Sequence, residues 1–277
     1  MAANTISTSF IKEYETEVKL AYQREGSLLR NTVRRKTGVI GSTADFQTYG
    51  TGVATDKARN GDVVPMNPAH ATVTATLVDK YAPIYIDSLD ELKINIDERG
   101  AAVKTGAWAL GRVADGQIVT VLDAQGTTYD AGTSVGGFTE AKVLAALYTK
   151  VCGNDVPPGN LTVTLGWYQV AQAMALDAFV NRQYVGEEYP LLKTVNAFTW
   201  GGATFVPTSG LSLAVAGTVR YCYAYDKAAI GHAIGAEVST EINYIAEKVS
   251  WLINSYMSQG AVLIDTKGIS RIMCAEA

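Results

Sequence analysis

Residues 58–81, ARNGDVVPMNPAHATVTATLVDKY, constrain the fold more than any other stretch of the chain. Asn60-Gly61 is a strong tight-turn signal. On the return side Val73, Ala75 and Leu77 alternate with Thr72, Thr74 and Thr76. That period of two puts one kind of side chain on each face of a strand. The pattern predicts a long hairpin over residues 45–81. An arm of that length would reach ~45 Å at the usual rise per residue. A lone two-stranded ribbon is marginal in water, so this one needs another surface to lie on. Its tip, TDKARNGD, carries Asp56, Lys57, Arg59 and Asp62, and the charge pattern suits solvation or pairing across subunits.

The flanking segments supply the surfaces. Phe10, Ile11, Tyr14, Val18, Ala21 and Tyr22 recur at helical spacing within residues 7–23, with Ser7 or Ser9 as caps. Leu28, Leu29, Val33, Val39 and Ile40 suit a strand over 28–41, interrupted by Gly38 and Gly41. YAPIYIDSLDEL predicts a short strand and then a helical turn begun by Asp87 or Ser88. Residues 95–122 form the longest expected helix, with Val103, Ala107, Leu110, Ala114, Ile118 and Val121 at steps of three and four. Asn95 and Glu98 resemble a capping pair. Gly100, Gly106, Gly111 and Gly116 each cost a helix about 1 kcal/mol relative to Ala, a cost that close approach by another element would justify.

After a linker at 125–137, the chain alternates between helix and strand. TEAKVLAALYTKV and WYQVAQAMALDAFVN suit helices. LTVTLG, the two arms around Gly201-Gly202 and TVRYCYAYD suit strands. The tail alternates again, with a strand expected at Val249–Met257, although Ile242, Ile245 and Val249 also fit a helical period.

Little in the chain suggests chemistry. His70 and His232 are the two histidines, one in the hairpin and one in an expected Gly- and Ala-rich loop, and packing or surface roles suit both. No His or Cys spacing makes a zinc site, and no phosphate loop or nucleophile elbow is present. Asp87, Asp90, Glu91, Asp97 and Glu98 sit where acids favour helix starts. Cys152, Cys222 and Cys274 are odd in number and widely spaced, as in a reduced cytosolic setting. The length of 277 residues with 48% apolar content supports a packed core. The net charge of -4 argues against gripping nucleic acid by charge neutralisation. Arg30, Arg34, Arg35 and Lys36 make one basic cluster without interleaved aromatics, better suited to acids on a neighbour. No apolar run is long enough for a membrane span.

The order of these pieces resembles the major capsid proteins of tailed phages, of the Hong Kong 97-like (Johnson) fold, nearest those of short-tailed phages. YETEVKLAYQREGSLLRNTVRRKTGVIGSTADFQTYG is similar to their N-terminal arm and extended loop. YIDSLDELKINIDERGAAVKTGAWALGRVADGQIVTVL is similar to the approach to the spine helix and the helix itself. GGATFVPTSGL and AYDKAAIGHAIGAEVSTEINYIAEKVSWLINSYM are similar to the late strands and the return. The resemblance implies an α+β fold with an N-arm at 1–27, a strand at 28–41 and an E-loop at 42–78. It places a peripheral domain at 79–130 and 237–277 and an axial domain at 131–236.

It further implies a non-enzymatic subunit, without cofactor or metal, that assembles as hexamers and pentamers into an icosahedral shell around double-stranded DNA. The expected subunit contacts are Phe10, Tyr14, Arg34, Arg35, Asp56, Lys57, Arg59, Asp62, Val73 and Leu77. The expected partners are copies of the chain, a separate scaffolding protein, a portal protein and a decoration protein, with no membrane. Assembly is expected in the host cytoplasm. Two rival readings are an encapsulin-like compartment of the same fold and a soluble α/β enzyme with a dimerising arm.

Overall fold

Two sheets share one long helix, and a hairpin stands off the end of the first sheet. The computed structural model describes residues 23–91, 97–126, 130–131, 136–180, 197–214 and 218–276. The stripe around Phe10 and Tyr14 lies outside the described residues, and the 125–137 linker lies inside them only in part.

A 3-10 turn at Arg30–Thr32 leads into β1 (Arg34–Thr37). Next come β2 (Thr43–Tyr49), β3 (His70–Thr76), β4 (Val78–Asp87), the short α1 (Ser88–Glu91) and the long α2 (Glu98–Asp123). α3 (Glu140–Leu144) runs on into a π-helical stretch, Ala145–Val151. Then follow β5 (Leu161–Leu165), α4 (Trp167–Met174), α5 (Asp177–Val180), β6 (Phe198–Trp200), β7 (Ala203–Pro207) and β8 (Leu213–Ala214). β9 (Val219–Asp226), β10 (Ile230–Ile245), β11 (Ser250–Leu263) and β12 (Ile269–Ala275) complete the chain.

The first sheet has the order β1-β10-β11-β4, with β1 parallel to β10 and the rest antiparallel. The second has the order β12-β9-β5-β7-β6, with β8 also on β9. Its central strands, LTVTL and VRYCYAYD, are buried along nearly their whole length, Thr162 and Thr164 included, as strands covered on both faces are. The main core gathers around them, from Val163, Phe205, Tyr223 and Tyr225 to Val143 and Leu147. Ile118, Val119 and Leu122, in the last turns of α2, reach into that same core. The earlier turns pack on the first sheet: Ala102 meets Ile86 and Ile253, while Leu110 and Ala114 meet Met257. α2 therefore belongs to both sheets.

The expected helix is present but starts at Glu98, and its cap is Asp97 rather than Asn95. Asp97 Oδ1 accepts from Gly100 N at 3.0 Å, satisfying one of the free first-turn donors. The strand reading of the tail holds. Ile245 ends β10, and Val249, at φ +49°, closes a 3-10 turn before β11. Two expectations change. His232 lies within β10 and not in a loop, because Gly231 and Ala233 fit under the hairpin and let the strand continue. β12 was expected in the peripheral domain with the rest of 237–277, but it pairs with β9 in the second sheet, where Ile269, Ile272 and Cys274 complete the core.

The glycines of α2 split by surroundings. A Cβ on Gly106 would lie 2.6 Å from Ser255 Oγ, and one on Gly111 would lie 2.6 Å from the Gly26 backbone. Gly116 has nothing within 4 Å of that position. Gly111→Ala is therefore expected to destabilise the subunit by about 1–3 kcal/mol through overpacking. Gly116→Ala should instead stabilise it by about 0.5–1 kcal/mol. Urea midpoints of free subunits check both signs.

Candidate assembly interface

The hairpin has two parts with different surroundings. β2 and β3 pair from Thr43↔Thr76 to Tyr49↔His70. On their inner side Ala44, Phe46 and Ala75 are buried against Ala233, with Val39, Leu77, Val262 and Ile264 half-buried around them. The Phe46 ring sits 2.8 Å from where a Gly231 Cβ would be, so β10 needs glycine there to admit it. The base of the ribbon thus finds apolar cover on its own chain, where the sequence pattern predicted a need for cover elsewhere. The reason is local: a bulky ring on β2 faces a strand position without a side chain.

Beyond the edge-on Tyr49 and His70 rings, 4.5 Å apart, that cover ends. Residues 51–69 form no strand, and the tip turns at Arg59-Asn60 with Asn60 at φ +63°. Gly61 N donates to Ala58 O at 3.0 Å. Val53, Val63, Val64 and Met66 are each more than half exposed, at 75, 73, 64 and 55%. Clustered exposed apolar side chains on a soluble chain mark a contact surface. Asp56, Lys57, Arg59 and Asp62 are all exposed and form no ion pair among the described residues. Val73 is half-buried opposite Phe46, and Leu77 belongs to the base cluster.

A second open surface is the face of the first sheet that α2 does not cover. Ala82, Ile84 and Ile86 of β4 turn towards the helix, while Tyr81 and Tyr85 remain exposed. They pair with Tyr256 and Leu252 of β11, and Lys248 Nζ lies 4.1 Å over the Tyr85 ring. These tyrosines and the exposed valines of the tip carry no motif; alternation along β4 sets Tyr81 and Tyr85 against Ala82, Ile84 and Ile86, whereas Val63 and Val64 are adjacent and show no period.

The chain enters this frame through a buried carboxylate. Asp115, on α2 and 1% exposed, accepts from Leu28 N at 3.0 Å, Leu29 N at 3.1 Å and Ser27 Oγ, and pairs with Arg24 at 3.3 Å. Further along the helix, Asp123 accepts from Ser212 Oγ at 2.5 Å and from the Tyr223 hydroxyl. Burial and the nearby Asp123 charge push the Tyr223 phenol far up, so it stays a donor. Of the basic cluster, Arg30 pairs with Glu237 of its own chain, Arg34 lies 5.8 Å from the Phe46 ring, and Lys36 Nζ donates to Asp45 O at 3.2 Å. His232 pairs in register with Arg35 and Ala261, is fully buried, and has no hydrogen-bond partner for either ring nitrogen among the described residues. Burial first, then the Arg30 charge, holds its pKa down to about 4.

Among the described residues no group of three His, Cys, Asp or Glu side chains is placed to hold a metal ion. The site offers surfaces in place of a furnished cleft. Solved structures from phages, several of them described as capsids, share this arrangement. A chain of Mycobacterium phage Che8 superposes with TM-score 0.74 at 15% identity, covering 96% of this chain and 98% of its own. The capsid of cyanophage P-SCSP1u gives 0.75 at 14% identity, covering 97% and 94%. The cyanophage Pam1 capsid gives 0.71 at 13% identity over 100% of both chains. Such identities establish the fold. No curated protein matches the sequence.

The family follows from the sequence itself: the chain belongs to the phage capsid protein family, whose model matches residues 6–276. It is a major capsid protein of the Hong Kong 97-like fold, a structural component of the virion capsid.

Two outcomes test this geometry in free subunits. Asp115→Ala leaves two backbone donors without an acceptor and Arg24 without its carboxylate partner, and should cost about 3 kcal/mol in a urea titration. Folding lowers the His232 pKa from 6.5 to about 4, so the unfolded chain takes the proton first as pH falls. Its share of stability is complete above pH 6.5 and is lost between there and about 4, by about 3 kcal/mol at most. His232→Phe should remove that part of the acid slope, seen as a smaller fall in the urea midpoint than in the parent.

Proposed function

We propose that the subunit assembles as hexamers and pentamers into an icosahedral shell around double-stranded DNA. The observation that carries this reading is the distal hairpin, residues 51–69, with four apolar side chains each more than half exposed among the described residues. A neighbouring copy supplies the missing surface. A contact between unlike patches closes into rings when its rotation divides the circle. Many modest contacts then act together, so the shell is stable although each one is weak.

In this reading the first sheet and α2 form the peripheral domain, the second sheet the axial domain, residues 42–78 the E-loop and residues 1–27 the N-arm. Phe10 and Tyr14 of the arm, and Asp56, Lys57, Arg59 and Asp62 of the tip, meet neighbouring subunits. Arg34 and Arg35 face outward at the sheet edge, and Val73 and Leu77 hold the ribbon at the angle that reaches the next copy. The subunit performs no catalysis. An acidic chain with net charge -4 holds DNA loosely and without sequence preference, which suits a container that a genome must enter and leave. A separate scaffolding protein and a portal protein complete the assembly, which takes place in the host cytoplasm.

Electron microscopy of the purified chain, alone and with its scaffolding protein, should show closed shells. Small discrete species under every assembly condition would sink the reading. Deleting residues 50–66 leaves Asn67–Ala69 to close the β2–β3 ladder. That variant should keep the parent's circular dichroism and form no shells.

A further inference from the structure

Among the described residues β1 is an edge strand, with one side on β10 and the other unpaired. All four of its residues, Arg34–Thr37, are exposed. Alternate residues of such a strand turn both N–H and C=O outward, so its free side offers donors and acceptors in turn. A groove of about 580 Å³ runs along that side, walled opposite by Asn160 and the loop Asp226–Ala228. Arg34, Arg35 and Lys227 bring three cations to it. The lining holds one acid, Asp226, whose carboxylate accepts from Ala228 N at 2.9 Å, so the three cations outnumber it and the groove stays basic.

We propose that this open edge is a docking groove in which an extended, acidic segment of a separate assembly protein adds as a further strand. The proposal rests on the capsid reading above, because it names a partner for that shell. Three observations choose the occupant. A phosphate backbone supplies acceptors only, so it cannot satisfy the outward carbonyls, whereas a peptide strand pairs with both. A basic edge repels a second basic edge, so two copies of β1 do not add to one another. The hairpin tip of another copy carries Asp56 and Asp62 interleaved with Lys57 and Arg59, and so brings no net charge to complement three cations. A strand of alternating acidic and apolar residues matches both the ladder and the charge.

The test uses free full-length subunits and a fluorescent peptide of alternating Glu and Val. It should bind, weaken as salt is raised, and slow hydrogen exchange at Arg34–Thr37. The double variant R34E/R35E should bind about tenfold more weakly or worse, the loss of at least one charge-assisted contact. Circular dichroism checks its fold, and K227E gives a milder second probe of the same wall.

Absence of binding overturns the proposal, as does equal binding of a Lys–Val peptide. Displacement by inorganic phosphate or a DNA duplex would make the groove a phosphate site. Tighter binding of a peptide spanning residues 51–69 would make it a contact between copies. Shell formation by the parent is scored separately by microscopy, so shells without peptide binding sink this proposal alone.

Discussion

The carboxylate of Asp115 has almost no water and must be satisfied entirely by protein. It is met by two backbone N–H groups, a serine hydroxyl and Arg24. An uncompensated charge there would be costly, so residues 24–29 are held against α2. Gly111 and Gly26 let the two backbones come close enough for this. With the entry pinned, Leu29 and Val33 fall into the main core, and β1 follows alongside β10. Thr32 Oγ1, 2.6 Å from the Tyr225 hydroxyl, ties the same segment to the second sheet. One buried charge thereby sets the relation of the N-terminal segment, the spine helix and both sheets.

The hairpin divides its apolar surface between home and elsewhere. Phe46 over Gly231 anchors the base, which removes the instability of a free ribbon. Past Tyr49 and His70, Val53, Val63, Val64 and Met66 are each left more than half exposed. A rigid base with an uncovered end suits a contact made at a distance from the subunit's centre. Association costs less when the reaching element is already ordered. The open face around Tyr81 and Tyr85 is a surface of similar character, amphipathic rings with water on one side.

Elements with strong local periodicity were legible in the sequence. Val73 and Ala75 alternate with threonines, and the hairpin ladder is there. Leu110, Ala114 and Ile118 recur at helical spacing, and all three are buried on α2. Gly201-Gly202 marked the turn between β6 and β7, and both residues have positive φ. What escaped depended on partners distant in the chain. His232 seemed to lie in a loop because its Gly and Ala neighbours have weak strand preference, and only the overlying Phe46 explains them. β12 was grouped with the strands just before it, yet its partner β9 lies some forty residues earlier in sequence. For Asp115, nothing nearby in sequence signals that residues 24–29 fold over it.

By itself, the sequence determined the helices and strands with strong local periodicity, and that a charged hairpin tip would project. These properties follow from local periodicity and composition, which neighbours along the chain dictate. The tertiary structure alone decided where the ribbon's cover stops, which sheet receives the last strand, and which of several equal-looking acids is buried. Each of those is settled by whether a side chain from elsewhere fills the adjacent space, and close packing leaves that space to one occupant.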